Sequence, residues 1–256
     1  MLRTKLVEKG IGTEPGFHWR GQEITRFEGL SDAVFGFAVT LLIVSLEVPR
    51  TFSELLETMR GFFAFAICFV LLMLIWYQQY IYFRRYGLQD TVTIVLNSAL
   101  LFVVLFYIYP LKFLFSMLIN VWSGSSLEVH LPDGTVRAVI EQFQLPTLMI
   151  IYSAGYLAIA VVFVLLFLHA YRQRAQLTLS PVEVFDTRWS IYNTLFSGSV
   201  SVVSILLAWL GGVKLSSVAG LIYPVLMFPG FTILGKLQGQ RRHRLEKSAA
   251  VGASSL

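Results

Sequence analysis

The sequence predicts an all-α polytopic membrane protein with six transmembrane helices, both termini in the cytoplasm, and a small β-hairpin in a long outer loop. Three observations lead there. Of 256 residues, 56% are hydrophobic and only 14% charged, against roughly a quarter charged in a soluble domain, and the mean hydropathy is +0.69. Six apolar stretches of about 20 residues are separated by charged or turn-forming segments, the length a helix needs to cross hydrocarbon while satisfying its own backbone hydrogen bonds. Finally, the Lys and Arg residues are distributed very unevenly between the two sides of those stretches.

Residues 1–28 carry mixed charge and lack the short basic lead of a cleavable signal, so they are expected to form a cytoplasmic segment and the first span to be retained. That span, 29–48, stops at Pro49-Arg50, and the second, 61–83, stops at Arg84-Arg85. The third covers 91–114, the fourth 145–171, the fifth 190–210 and the sixth 218–234, which together give a transmembrane domain of 29–235. A basic cytoplasmic tail, 236–256, ends in SAAVGASSL, a composition expected to be disordered.

Six spans place both termini on one side. That side then holds Arg3, Lys5, Lys9, Arg20 and Arg26, Arg84 and Arg85, Arg172, Arg174 and Arg188, and the cluster from Lys236 to Lys247, whereas only Arg50, Arg60, Lys112, Arg137 and Lys214 face the other. The positive-inside rule makes the first side cytoplasmic. Five or seven spans would separate the Lys236 to Lys247 cluster from the N-terminus and lose this agreement. In the outward loop, LEVHLPDGTVRAVI alternates apolar and polar residues around Pro132-Asp133-Gly134, the pattern of a hairpin with an Asp-Gly turn, read as an outer cap.

Composition also excludes several kinds of chemistry. Cys68 is the single cysteine, and His18, His130, His169 and His243 are scattered without an HExxH pattern, so no metal site or cofactor is expected. The net charge of +5 is accounted for by topology and membrane lipid headgroups, with no nucleic-acid partner. There is no Arg at every third position of a span, no inverted repeat, and no paired intramembrane aspartates or Ser/His set for an enzyme. Asn193, Ser197, Ser201 and Ser204 share one face of the fifth span, which is read as helix packing rather than a polar pathway.

The first span, in RFEGLSDAVFGFAVTLLIVSLEVP, holds the one carboxylate well inside a span, Asp32. A charge at a helix centre costs about 2.5 to 3.5 kcal/mol on insertion scales, less near an interface, and calls for a partner. Arg26, Trp76, Gln79 and Asn97 are the candidates for a polar network with Ser31 and Asp32. The alternative is that Ser31 or Asp32 caps the first helical turn. Phe37, Leu41 and Val44 recur at spacings of four and three and share a face, a pattern that ordinary packing also produces.

RxxxLSD at Arg26, Leu30, Ser31 and Asp32 resembles the RxxxFSD signature of the transmembrane protein 175 family of potassium channels. The WxxQYxxF run from Trp76 to Phe83 is similar to that family's WxxHHxxF, and Leu96-Asn97, Leu100-Leu101 and Pro110 are similar to its third-span pattern. This resemblance implies a potassium-permeable homotetramer with one six-span repeat per chain, its pore lined by the first helix of each subunit. The apolar constriction then falls on Phe37, Leu41 and Val44, with Thr40 adjoining and Glu47 at the outer mouth, and only transient potassium as metal. The sequence departs from the pattern at Leu30, at Gln79-Tyr80 in place of two histidines, and at Phe37 where the family typically carries Ile. Either Phe37 or Leu41 is the narrowest point. A proton-coupled transporter using Asp32 and a nonconducting scaffold are the alternative readings.

Overall fold

The structure is a computed structural model that describes residues 17–21, 23–44, 51–122, 128–130 and 136–254. Helices α1 (Arg26–Val44), α2 (Phe52–Tyr86) and α3 (Thr91–Trp122) are followed by strands β1 (Glu128–His130) and β2 (Val136–Ala138), a 3-10 turn at Gln142–Gln144, α4 (Leu145–Arg172) and α5 (Pro181–Ser254). Helix dominates throughout. α1 lies across α2 and α3, and α3, α4 and α5 pack in succession beside them around a core that includes Tyr82, Leu100, Phe163 and Leu166.

The helices outrun the expected spans. α2 begins nine residues before 61 because FSELLETMR contains good helix formers and no Pro or Gly. It ends just past Arg84-Arg85, where Gly87 takes a φ of 59° that other residues seldom adopt. α5 is two helices folded at Gly212, whose φ of 53° and ψ of −141° only glycine adopts readily. The two arms, 181–211 and 213–254, run antiparallel: Ser204 Oγ donates to the Ala219 carbonyl at 2.8 Å, the Phe196 and Phe231 rings lie 5.9 Å apart, and Arg242 approaches Asp186 at 3.5 Å. They contain the stretches expected as fifth and sixth spans. The backbone stays helical to Ser254, so the expected disorder of SAAVGASSL is not what is described; Ala-rich sequence propagates a helix already under way.

Four stretches among the described residues are long and apolar enough to cross a membrane: Gly61–Tyr86, Thr91–Trp122, Gln142–Arg172 and Pro181–Leu245. The count is lower than six because the last stretch holds both arms of α5, and because the apolar run 29–48 leaves the described residues after Val44. Between α3 and α4, β1 and β2 pair antiparallel, Val129 opposite Arg137. The expected Pro132-Asp133-Gly134 turn between them lies outside the described residues.

A segment at 17–21 ties the end of α2 to the start of α5. Glu183, with 4% of its side chain exposed, receives both Arg20 Nη atoms at 2.9 and 3.0 Å, the His18 N–H at 2.8 Å and the Ser180 N–H at 2.7 Å. Arg84 Nη1 donates to the Gly21 carbonyl at 2.7 Å, and a Cβ on Gly21 would meet the Phe83 carbonyl oxygen at 2.4 Å, so glycine is needed at this crossing. Replacing one member of a buried ion pair leaves the other unmatched, at a cost of roughly 3 kcal/mol. Arg20→Ala is therefore expected to lower the thermal midpoint in detergent markedly, and Arg20→Ala with Glu183→Gln to lower it by less than the two single changes summed.

Candidate pore helix and its polar network

α1 begins with a reciprocal cap: the Glu28 N–H donates to Thr25 Oγ1 at 3.1 Å, and Glu28 Oε1 receives the Thr25 N–H at 3.4 Å. Ser31 and Asp32 therefore lie in the second turn, and neither is the cap. The Thr-x-x-Glu pattern was readable in the sequence, but the apolar run drew attention to its later start at residue 29. From the cap, α1 presents two unlike faces. Ser31, Phe35, Ala38 and Leu42 recur at spacings of four, three and four and are buried. On the other side Leu30, Phe37 and Ile43 are exposed at 58%, 57% and 49%.

Of the residues expected to line a pore, Phe37 and Thr40 are exposed on this second side and Leu41 is half-buried beside them. Thr40 Oγ1 is bonded within the helix to the Gly36 carbonyl at 3.1 Å. Val44 is the last residue of α1, and Glu47 lies outside the described residues.

The residues expected to form a network are drawn together from three helices. Ser31 Oγ donates to the Phe27 carbonyl at 3.0 Å and accepts from Asn97 Nδ2 at 2.8 Å, and Gln79 Nε2 donates to Asn97 Oδ1. All three side chains are buried: Ser31 at 1%, Gln79 at 2% and Asn97 at 0% exposure. Every link pairs a donor with an acceptor, as buried polar groups require. Asp32 sits at the edge, exposed in the single chain, with Oδ1 accepting the Trp76 indole N–H at 2.8 Å. Arg26 is exposed at the first residue of α1, away from this chain of bonds.

A further contact was not anticipated. Lys112 Nζ, in α3, donates to the Leu42 carbonyl at 3.0 Å. A cation donating to a backbone carbonyl makes a charge-assisted hydrogen bond, and Lys112 so fixes α1 against α3 at Leu42. The sequence signal is a lysine within the third apolar stretch, two residues after Pro110, where charge sorting alone makes it a topology charge. The hydroxyl row of α5 is consistent with packing: Ser204 joins α4 through Ser153 Oγ at 2.8 Å, and Ser197, Ser201 and Ser204 are all buried.

Asn97 holds both ends of the buried chain. Asn97→Leu would leave the Gln79 amide and the Ser31 hydroxyl without their shared partner, at about 1–3 kcal/mol for each stranded group. A clear fall in thermal midpoint is expected, whereas Trp76→Phe, which removes a donor from an exposed carboxylate, is expected to have a smaller effect in the same measurement.

The model of the family described as endosomal/lysosomal potassium channel TMEM175 matches residues 26–107, which cover α1, α2 and the first half of α3. A protein of Marivirga tractuosa described as a potassium channel is 38% identical over 250 residues, covering 94% of this chain and 98% of that one. Another described as a potassium channel, from Chamaesiphon minutus, is 28% identical over 156 residues, or 58% of this chain and 66% of that one. Among solved structures, a variant of the potassium channel MtTMEM175 in complex with a nanobody-MBP fusion protein superposes with a TM-score of 0.77 at 38% identity, covering 90% of this chain and 99% of that one. A lysosomal potassium-selective channel TMEM175 homolog from Chamaesiphon minutus superposes at 0.52 with 23% identity, covering 81% and 96%, a likeness of fold. Near-complete mutual coverage at 38% identity, together with a family match that starts on the helix bearing the Ser31-Asp32 motif, places the chain in the TMEM175 family.

Proposed function

We propose that this chain is one subunit of a potassium-permeable channel in which α1 from each of four identical subunits lines a central pore. The observation that carries the reading is the two-faced character of α1. One stripe is packed on α2 and α3, and large apolar side chains stand free on the opposite side of the same helix. A free apolar face on a membrane helix is compatible with lipid, but the neighbouring Thr40 and the Asp32 carboxylate suit a water-filled axis better. Cyclic symmetry brings the same face of every subunit to that axis.

In this arrangement Phe37, more exposed than Leu41, reaches the axis first and forms the narrow ring, with Leu41 and Val44 extending the apolar zone outward and Thr40 adjoining it. Such a ring gates by dewetting, because a passing ion sheds water and receives no ligand in return. Potassium, which holds its water less tightly than sodium, meets the smaller barrier. Glu47 at the outer mouth would concentrate cations. The roll of α1 is set by Ser31, Asn97 and Gln79, and its outer end by Lys112, so these act as positioning residues rather than ion ligands.

The same proposal takes α1 to α4 and the two arms of α5 as six spans with both termini cytoplasmic, within a transmembrane domain of 29–235 flanked by 1–28 and 236–256. The charge distribution supports it: Arg20, Arg84, Arg85 and Arg188 gather at one end of the bundle, where Arg20 binds Glu183 and Arg84 binds the Gly21 carbonyl.

The purified protein in liposomes is expected to pass potassium down its gradient without any proton gradient; flux that requires a proton gradient would instead identify a coupled transporter. In a Cys68→Ala background, Phe37→Cys and Leu41→Cys are expected to lose flux to the level of protein-free vesicles on treatment with a charged methanethiosulfonate. Phe37→Ala is expected to conduct more than the parent. Unaltered flux in both cysteine variants after confirmed modification would remove α1 from the pore.

A further inference from the structure

Away from α1, a two-lobed cavity opens between α3, α4 and the arms of α5, with α2 closing one side of the first lobe. The lobes measure about 380 and 570 Å³ and share Tyr152, Tyr223 and Pro224 in their walls; no residue of α1 lines either. Volumes of this size are those of sites for small organic molecules.

The walls combine two properties that seldom occur together in a membrane protein. Among the described residues they carry no acidic or basic side chain, yet four tyrosines, Tyr107, Tyr152, Tyr156 and Tyr223, converge on the first lobe. Tyr152 contacts the rings of Tyr107 and Tyr223 at centroid distances of 5.9 and 5.5 Å. The Tyr107 and Tyr223 hydroxyls are buried, their residues 4% and 9% exposed; Tyr107 is turned toward the Tyr152 hydroxyl, and Tyr223 has no hydrogen-bond partner among the described residues. Nearby hydroxyls are satisfied: Ser153 and Ser204 bond each other, and Ser204 bonds the Ala219 carbonyl. Pro224 adds an acceptor, since it lacks the N–H that would engage the carbonyl of Gly220, and Gly220 lines the outer lobe.

In hydrocarbon an unmatched hydroxyl has no water to turn to, so its partner must come from whatever fills the cavity. That occupant has to be neutral, because an ionised group would find no counter-charge there. It needs an oxygen that can donate and accept, to engage phenol hydroxyls and a carbonyl, and an apolar body for the aliphatic walls. We propose that the cavity is a binding site for a neutral, lipid-like alcohol, its hydroxyl held by Tyr107 and Tyr223 and its hydrocarbon running through the two lobes.

The test uses the full chain in phosphatidylcholine vesicles with a diazirine-bearing hexadecanol, irradiation, and peptide mapping by mass spectrometry. Labelling is expected within 145–172 and 213–231 and is expected to be displaced by excess plain hexadecanol. Tyr223→Phe, which keeps the ring and so the packing, is expected to reduce labelling about fivefold, the scale of one hydrogen bond. Ala160→Phe, which fills the first lobe, is expected to abolish it, with thermal midpoints confirming that both variants are folded. Labelling that is not displaced by hexadecanol overturns the proposal, as does labelling unchanged in folded Tyr223→Phe. Equal labelling by the corresponding diazirine carboxylate at a pH where it is ionised overturns the neutral-alcohol assignment. Absence of any label within those two segments would mean that the lobes hold only water, which also overturns it.

Discussion

The roll of α1 about its own axis depends on one short chain of hydrogen bonds, from Gln79 through Asn97 and Ser31 to the Phe27 carbonyl. Apolar contacts alone specify such a roll weakly, because Phe, Leu and Val can exchange places on a greasy surface with little change in area. Buried donors and acceptors cannot, because each has few partners within reach and a heavy penalty for missing them. Once Ser31 is held by Asn97, helical periodicity requires Phe35, Ala38 and Leu42 to face inward, and Phe37 and Thr40 are left on the free side. The apolar face that α1 leaves free therefore follows from polar contacts on the opposite face.

Charges fix the ends in the same way. Lys112 meets the Leu42 carbonyl of α1, and the Arg20–Glu183 pair ties the 17–21 segment to the start of α5. Charge-assisted hydrogen bonds are short, directional and strong, and the first turn of α5 has backbone N–H groups that lack internal partners. The bundle is thus held by hydrogen bonds at its helix ends and by side-chain packing between them.

Much of this was legible in the sequence. The apolar lengths identified the membrane helices, and an intramembrane Asp with Asn and Gln on neighbouring spans announced a network, because such residues are costly in lipid unless they meet. Three things were not legible. The fold of α5 at Gly212 is invisible to an apolar-run criterion: Gly211-Gly212 marks it only once a positive φ is known. Lys112 reads as a topology charge because its partner, a backbone carbonyl, leaves no trace in side-chain patterns. The tyrosine-lined cavity joins Tyr107, Tyr152, Tyr156 and Tyr223 from three helices, and no local spacing connects them.

Gln79 stands where the resemblance implies a histidine, and the amide gives the network a definite character. A histidine in a chain of buried hydrogen bonds changes from acceptor to donor at one nitrogen when it takes a proton, and its partners must then rearrange. An amide keeps its donor and its acceptor at every physiological pH. With Gln79 donating to Asn97 and Asn97 donating to Ser31, the bonds run in one direction, and no member of the chain titrates. The roll of α1 is then indifferent to proton concentration. Any pH response of this protein would have to arise outside this chain of bonds, which holds the packed face of the helix in the same place whatever the proton concentration.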